Sequence, residues 1–238
     1  MPSILTWNVA GLHEERLDER SEASCLAALL RDPPEFLVLQ ELVRRSWHAH
    51  WKHHLHHAGF VVTPPDPTAS TSEYFVAVAV HRSVGPVEGG RAPFAGSRMG
   101  RELVWATAGG WLVCTAHLES ERGGSAERVA QAGAVCARLL AWPGPAVFGG
   151  DTNLRVEEEP LVPDLAQVTD AWTAAGSPAA EAQTWGFGGR ARARFDRVWC
   201  NPRARPGRFT RVGVDPVPGV GRLSDHAGVR VALEPVPA

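Results

Sequence analysis

Polar motifs that follow strand-like apolar runs are scattered along almost the whole chain, and this dispersal constrains the fold more than any single motif does. Gly150-Asp151-Thr152-Asn153 follows the apolar run Ala146-Val147-Phe148-Gly149, which reads as a buried strand. Residues two apart in an extended segment point the same way, so Asp151 and Asn153 converge where a water could be held and deprotonated. Thr6-Trp7-Asn8, Gln40-Glu41, His117-Leu118-Glu119-Ser120, Phe195-Asp196-Arg197 and Ser224-Asp225-His226 also lie at or within strand-like segments. If motifs from Asn8 to His226 share one site, the chain must close on itself, and residues 1–238 are expected to form a single domain.

The alternation of elements specifies how it closes. Strand patterns are expected over Ser3–Val9, Phe36–Leu39, Tyr74–His81, Glu102–Ala108, Trp111–Leu118, Phe195–Cys200, Phe209–Val214 and Gly228–Leu233. Gly109-Gly110 marks a hairpin. Helices are expected over 17–31, with Leu17, Ala23, Leu26, Ala27 and Leu30 as an apolar stripe, over 47–58, over 126–141, and briefly over 168–175. Helices alternate with strands early and hairpins dominate later, which fits two packed, mainly antiparallel sheets flanked by helices. Pro64-Pro65-Asp66-Pro67 and the following 68–72 form the most loop-like segment.

A net charge of -2, with 44% apolar and 21% charged residues, describes an ordinary globular chain without the global basic field of a general nucleic-acid binder. Arginine is concentrated locally at 190, 192, 194, 197, 203, 205 and 208. This run is read either as composition, because Lys52 is the sole lysine, or as a phosphate-facing rim. Cys25, Cys114, Cys136 and Cys200 form no CxxC pair and read as buried free thiols. No apolar stretch has the length of a membrane span, and Ile4–Trp7 opens the chain without a secretory pattern, so a cytoplasmic location is expected.

Asn8 and Glu41, with no cysteine near them, suit a hard cation such as Mg²⁺ or Mn²⁺ held largely through water. Asp196 is the partner expected to orient His226, since Asp225 is its immediate neighbour and would face away. Arg155, two residues beyond Asn153, can fork onto a phosphate. Six of the ten histidines crowd into 48–57, with His50/His54 and His53/His57 one helical turn apart. The further ligands of a buried metal site are not evident there, and a solvated helix face is the favoured reading.

Taken in order, these residues resemble the endonuclease/exonuclease/phosphatase (DNase I-like) family over nearly the full length. The match is carried by Thr6–Leu12, His117–Gly123, Ala126–Arg128, Gly150–Arg155, Thr184-Trp185, Arg194–Arg197 and Ser224–His226. The resemblance implies a four-layered α/β sandwich and a Mg²⁺-dependent phosphodiesterase. Glu41, Asn8 and Asp225 would lie at the metal, Asp151 would be the acid/base, and Asn153 its positioning partner. His226, oriented by Asp196, would hold the scissile phosphate beside His117. The branch it resembles acts on DNA 5′ ends, single-stranded or frayed, and releases adducts such as 5′-phosphotyrosyl to leave a 5′-phosphate. Arg155, Trp185 and Phe195, with Arg122, Ser120 and Glu119, would contact that end, although both aromatics could instead be core. Where the family often has aspartate, this chain has Ala10, one carboxylate fewer near the ion. Other expectations within the fold are a general nuclease, an inositol-phosphate or sphingomyelin hydrolase, or a non-catalytic binding member. No protein partner is predicted.

Overall fold

The structure is a computed structural model and describes residues 1–30, 32–70, 72–187, 189 and 191–237. Its strands, numbered along the chain, form two six-stranded sheets. One contains β1 (Ser3–Asn8), β2 (Phe36–Val43), β3 (Phe60–Thr63), β4 (Tyr74–His81), β11 (Ala204–Val212) and β12 (Gly228–Pro235), in the order β11-β12-β1-β2-β4-β3. The other contains β5 (Glu88–Pro93), β6 (Glu102–Ala108), β7 (Trp111–Ala116), β8 (Ala146–Asp151), β9 (Thr169–Asp170) and β10 (Asp196–Cys200), in the order β5-β6-β7-β8-β10-β9. The α-helices of four or more residues are α1 (Leu17–Leu29), α2 (Lys52–His57), α3 (Ser125–Leu140) and the single turn α4 (Ala171–Ala174).

Side-chain alternation explains the layering. Ile4, Phe36, Val38, Val113, Val147 and Val198 point between the sheets into one shared core. Their neighbours Leu5, Leu37 and Leu39 face outward against α1 and α2, and Leu112, Phe148 and Trp199 face outward against α3. Both faces of the central strands are covered, so those strands read as continuous apolar runs rather than as alternating ones. The four layers expected from the sequence are present. Gly149 lets the sheets approach: a Cβ there would lie 2.9 Å from Thr6 Cβ. Beside it, Gln40 Nε2 donates to Thr115 Oγ1 at 2.8 Å and to Thr6 Oγ1 at 3.1 Å, a fully buried polar tie between the sheets.

Each sheet has one parallel pair, β1–β2 and β7–β8, bridged by α1 and α3 respectively. The carboxyl ends of these four strands reach a common edge, with Asn8 paired to Gln40 and His117 bridged to Asp151. Every other pairing is antiparallel, including the β6–β7 hairpin, where Gly109 and Gly110 both adopt positive φ.

Two expectations need correction. Leu26 and Leu30 do not form the buried stripe of α1; they are exposed, and the inward face is Leu17, Arg20, Ser21, Ser24, Cys25 and Ala28. Small residues there allow close packing, and the Arg20 guanidinium spans to the carbonyls of Ala10, His13, Glu15 and Leu223. The helix around the histidines is not uniform either, because a π turn, Trp47–Trp51, interrupts it before α2. The short strands β3, β5 and β9 carry no strong alternation and lie outside the expected set. All four cysteines are buried and free, with burial pushing the thiols of Cys114, Cys136 and Cys200 up to about 12. No helix among the described residues is long and apolar enough to cross a membrane.

Candidate active site

Asn8 closes β1, and Glu41 sits at an irregularity of β2 where the register with β4 slips between Leu39 and Leu42. Such a bulge re-aims a side chain. Glu41 takes φ 54°, a conformation that costs energy for a residue with a Cβ. Gly11 accommodates it: its amide donates to the Glu41 carbonyl at 3.0 Å, and a Cβ on Gly11 would lie 2.1 Å from that oxygen. Asn8 Nδ2 donates to Glu41 Oε1 at 3.1 Å and to Asp151 Oδ2 at 3.0 Å. Its Oδ1 accepts from the Ala10 amide, so Asn8 meets both carboxylates as a donor.

Asp151 ends β8 in a buried position. The Asn153 amide donates to Asp151 Oδ1 at 3.0 Å, while Asn153 Nδ2 is held by the Leu118 carbonyl. This turn needs Asn153 at φ 50°, which asparagine tolerates better than most residues. Burial raises the Asp151 carboxyl above its ordinary value, as does nearby Asp196, against opposing contributions from His226 and Asn8. Burial likewise raises Glu41.

His226 is fixed from three sides. Its amide donates to Ser224 Oγ, which in turn donates to the Asn8 carbonyl. Trp7 Nε1 donates to the His226 carbonyl, and His226 Nδ1 lies 2.8 Å from Asp196 Oδ2. Thr184 Oγ1 accepts the amides of Phe195 and Asp196 and so anchors the strand that carries the acid. Burial by itself would lower His226, but Asp196 and then Asp151 outweigh it and raise it to about 10. The ring is an imidazolium at neutral pH, with Nε2 lying 3.6 Å from Asp151 Oδ2. His117 behaves oppositely. Burial, then Arg101 and His226, hold it well below 6.5, and its neutral ring puts Nε2 3.3 Å from Asp151 Oδ2.

Glu41, His117, Asp151, Asn153 and His226 line a cleft of about 1430 Å³. Trp185 and Phe195 form part of its wall, half-buried with ring centroids 5.2 Å apart. The core alternative for the two aromatics therefore does not hold; Phe195 precedes β10 rather than lying in it. Arg155, Ser120 and exposed Arg122 also line the cleft. The exposed Asp225 accepts from Trp185 Nε1 at 2.9 Å. Glu119 is different. Its buried carboxylate accepts from Ser97 Oγ and the amides of Arg98 and Met99, so the expected substrate contact is replaced by a loop anchor. Of the arginine run, Arg192, Arg194 and Arg197 reach the cleft, the last paired with Glu159; Arg205 pairs with Glu234, and Arg190 lies outside the described residues.

Sequence reasoning missed two cleft residues. Arg101 is buried, its Nε and Nη1 have no hydrogen-bond partner, and its guanidinium lies 5.1 Å over the Tyr74 ring. Tyr74 is the sole tyrosine of the chain, a compositional hint; Arg101 stands alone before β6 with no pattern to flag it.

The donor set fits a hydrated hard cation better than a fully caged one. Glu41 presents a carboxylate that burial raises first, with Asp151 and Asp225 nearby adding to the rise. His117 Nδ1 is buried without a partner, 3.7 Å from Glu41 Oε1, too far for a direct bond. Asp151, Asp196 and His226 also have donor atoms within 4.8 Å of one another, but there the acid and imidazole are committed to each other.

Residues 5–226 match the family described as Endonuclease/Exonuclease/phosphatase family. The chain belongs to the endonuclease/exonuclease/phosphatase family. It is a metal-dependent phosphodiester hydrolase of that family. It is 30% identical to tyrosyl-DNA phosphodiesterase 2 of Rattus norvegicus over 256 residues, covering 98% of this chain and 67% of the relative. It superposes on the crystal structure of that enzyme from D. rerio, complexed with single strand DNA product, with a TM-score of 0.84 at 26% identity, covering 98% of both chains. The C. elegans enzyme gives a TM-score of 0.83 at 28% identity, covering 98% of this chain and 74% of the other.

Proposed function

We propose that this chain, as one catalytic domain spanning residues 1–238, hydrolyses the phosphodiester that joins a DNA 5′ end to a tyrosine and leaves a 5′-phosphate. The observation that carries the reading is the juxtaposition of the base and the imidazolium, Asp151 and His226, below the Trp185–Phe195 wall. The similarity to enzymes named tyrosyl-DNA phosphodiesterase 2, one of them solved with a single-stranded DNA product, supports the substrate class.

Asp151 takes a proton from a water as the water oxygen attacks phosphorus, and the bond from phosphorus to the phenolic oxygen breaks. Asn153 keeps Asp151 Oδ1 in place and has its own Oδ1 free to orient that water. The His226 imidazolium, held by Asp196, binds a non-bridging oxygen and stabilises its growing charge. Neutral His117, whose Nε2 lies 3.3 Å from Asp151 Oδ2 and faces the Arg101 guanidinium, adds no second positive charge beside the base. Arg101, whose Nε and Nη1 have no hydrogen-bond partner, supplies a fixed positive charge at the cleft wall beside Tyr74. Glu41, with Asp225 nearby and Asn8 holding it, would carry Mg²⁺ or Mn²⁺, which polarises the phosphoryl group when bound. Trp185 and Phe195 offer flat faces for an unpaired terminal base, and Arg155, with Arg122, flanks the backbone. Four buried free thiols support a cytoplasmic location.

The test is a substrate panel with Mg²⁺: a 5′-phosphotyrosyl oligonucleotide, intact and abasic duplexes, inositol phosphates and sphingomyelin. The phosphotyrosyl oligonucleotide should be turned over fastest. Preference for a soluble inositol phosphate or for an abasic duplex would reassign the chain within its family.

A further inference from the structure

The ligands that the histidine-rich segment lacks in sequence arrive from α1. Glu22 Oε2 lies 3.0 Å from His50 Nδ1 and 2.9 Å from His54 Nε2. Asp18 is one helical turn before Glu22, and its Oδ1 lies 3.6 Å from His50 Nε2. Two pairs at i, i+4 spacing, carboxylates on one helix and imidazoles on another, thus face each other. The π turn ends just after His50, and α2 carries His54. Asp18 Oδ1 is buried without a hydrogen-bond partner, although its other oxygen is paired with Arg45.

We infer that Glu22, His50 and His54 form a second metal site, separate from the catalytic cleft, for one divalent transition ion of the zinc type. Imidazole nitrogen favours such borderline ions over Mg²⁺. Zinc holds nitrogen and oxygen at roughly 2.0–2.2 Å, which places neighbouring donors about 3.3 Å apart. The contacts from Glu22 Oε2 to the two ring nitrogens are already near that spacing. His50 can offer only one nitrogen to the ion. With Nδ1 on the metal, its Nε2–H points to the unpartnered Asp18 oxygen, the outer carboxylate that orients a metal-bound histidine. Water completes the shell. Among the described residues only Asp151, Asp196 and His226 already hold their donors within 4.8 Å of one another. Loading the helix site therefore rotates the His50 and His54 rings inward from either side of Glu22, and both rings are partly exposed, 18% and 27%.

The ion would clamp α1 to the π turn and α2. Arg20 of α1 holds the carbonyls of Ala10 and Leu223, on the loops that lead from Asn8 and toward Ser224. The clamp would thus brace the catalytic rim from behind without entering the reaction. His53 and His57 meet edge to face, with ring centroids 4.2 Å apart, and among the described residues make no ion pair with a carboxylate. They serve as the internal control.

The experiment uses the whole chain, stripped with chelator, and reads thermal melting and native mass with Zn²⁺ or Mg²⁺ added. At about a hundred times the dissociation constant, Zn²⁺ should raise the melting midpoint by about 5–10 °C. The rise should persist in H53A/H57A and in E41Q, and disappear in H50A/H54A. The conservative variant E22Q, at a partly exposed carboxylate, should fold and bind one zinc fewer than the parent. Mg²⁺ should give no shift that depends on His50 and His54. A zinc shift retained in H50A/H54A, lost in H53A/H57A, or accompanied by an unchanged zinc count in E22Q would overturn the site.

Discussion

Replacing Asp196 with asparagine isolates the charge that keeps His226 protonated. The substituted amide would retain an acceptor for His226 Nδ1 in the same 2.8 Å contact and lose only the negative charge. His226 is displaced from 6.5 to about 10 although burial opposes the rise, and Asp196 is the largest contributor in its favour. At about 1.4 kcal/mol per pH unit, the environment favours the imidazolium by roughly 5 kcal/mol. Without that charge the largest contribution in favour of the imidazolium is gone, and the ring should titrate well below the parent's value. Each pH unit by which the titration falls costs about tenfold in protonated ring on the alkaline side, so D196N should lose at least about tenfold more in kcat/KM at pH 9 than at pH 6. The assay is a pH series of kcat/KM for D196N against the parent, using a small chromogenic phosphodiester that avoids the aromatic wall. A loss that is constant across pH would refute the reasoning, because it would mean Asp196 positions the ring without controlling its charge.

Four further perturbations probe the same site. The parent's own pH profile should have an acid limb above the ordinary carboxylate range, since burial raises Asp151, and an alkaline limb near 10 from His226; an acid limb at the usual aspartate value would deny the base an elevated pKa. Stability follows with a definite sign: His226 is raised on folding, so its contribution is fully present below about 6.5 and lost as pH climbs through about 10. In H226Q, urea midpoints across that window should lose this decline. A10D should lower the Mg²⁺ concentration for half-maximal rate several-fold, because Ala10 lines the cleft at φ 49°, which aspartate tolerates; an unchanged requirement would place that side chain away from the ion. W185A should weaken cleavage of the phosphotyrosyl oligonucleotide at least about fivefold more than that of a small diester, matching one lost base stack; equal losses would remove Trp185 from substrate contact.

Legibility in the sequence tracked how local the determining physics was. Strand alternation named Asp151 and Asn153 together, but β8 ends at Asp151, and it is a turn with Asn153 at φ 50° that brings the two together; Asp196 was readable as the partner of His226 because Asp225 is the immediate neighbour of that histidine. The alternating helices and hairpins likewise marked two sheets with outer helices. Glu41 could be named, but not its bulge or its positive φ, which arise from pairing β2 against β4 and from Gly11 packing on its carbonyl. Arg101 escaped notice because a lone arginine is ordinarily solvated; only the fold buries it against Tyr74 with two of its guanidinium nitrogens unpartnered. Glu119 looked like a cleft residue by its motif, yet three donors from Ser97 to Met99 claim its carboxylate. In α1, buried serines and an arginine that satisfies carbonyls inverted the face that hydrophobicity suggests.

The most direct test of the account is single-turnover hydrolysis of a 5′-phosphotyrosyl oligonucleotide in Mg²⁺ and ¹⁸O-labelled water, with the parent beside D151N. General-base removal of a proton typically contributes 10²–10⁴-fold. The account predicts ¹⁸O in the 5′-phosphate and none in the tyrosine, no turnover in excess chelator, and a loss of at least about 10²-fold in D151N with substrate binding little changed. Label in the tyrosine oxygen, turnover that persists without divalent metal, or a D151N rate within about tenfold of the parent would contradict it.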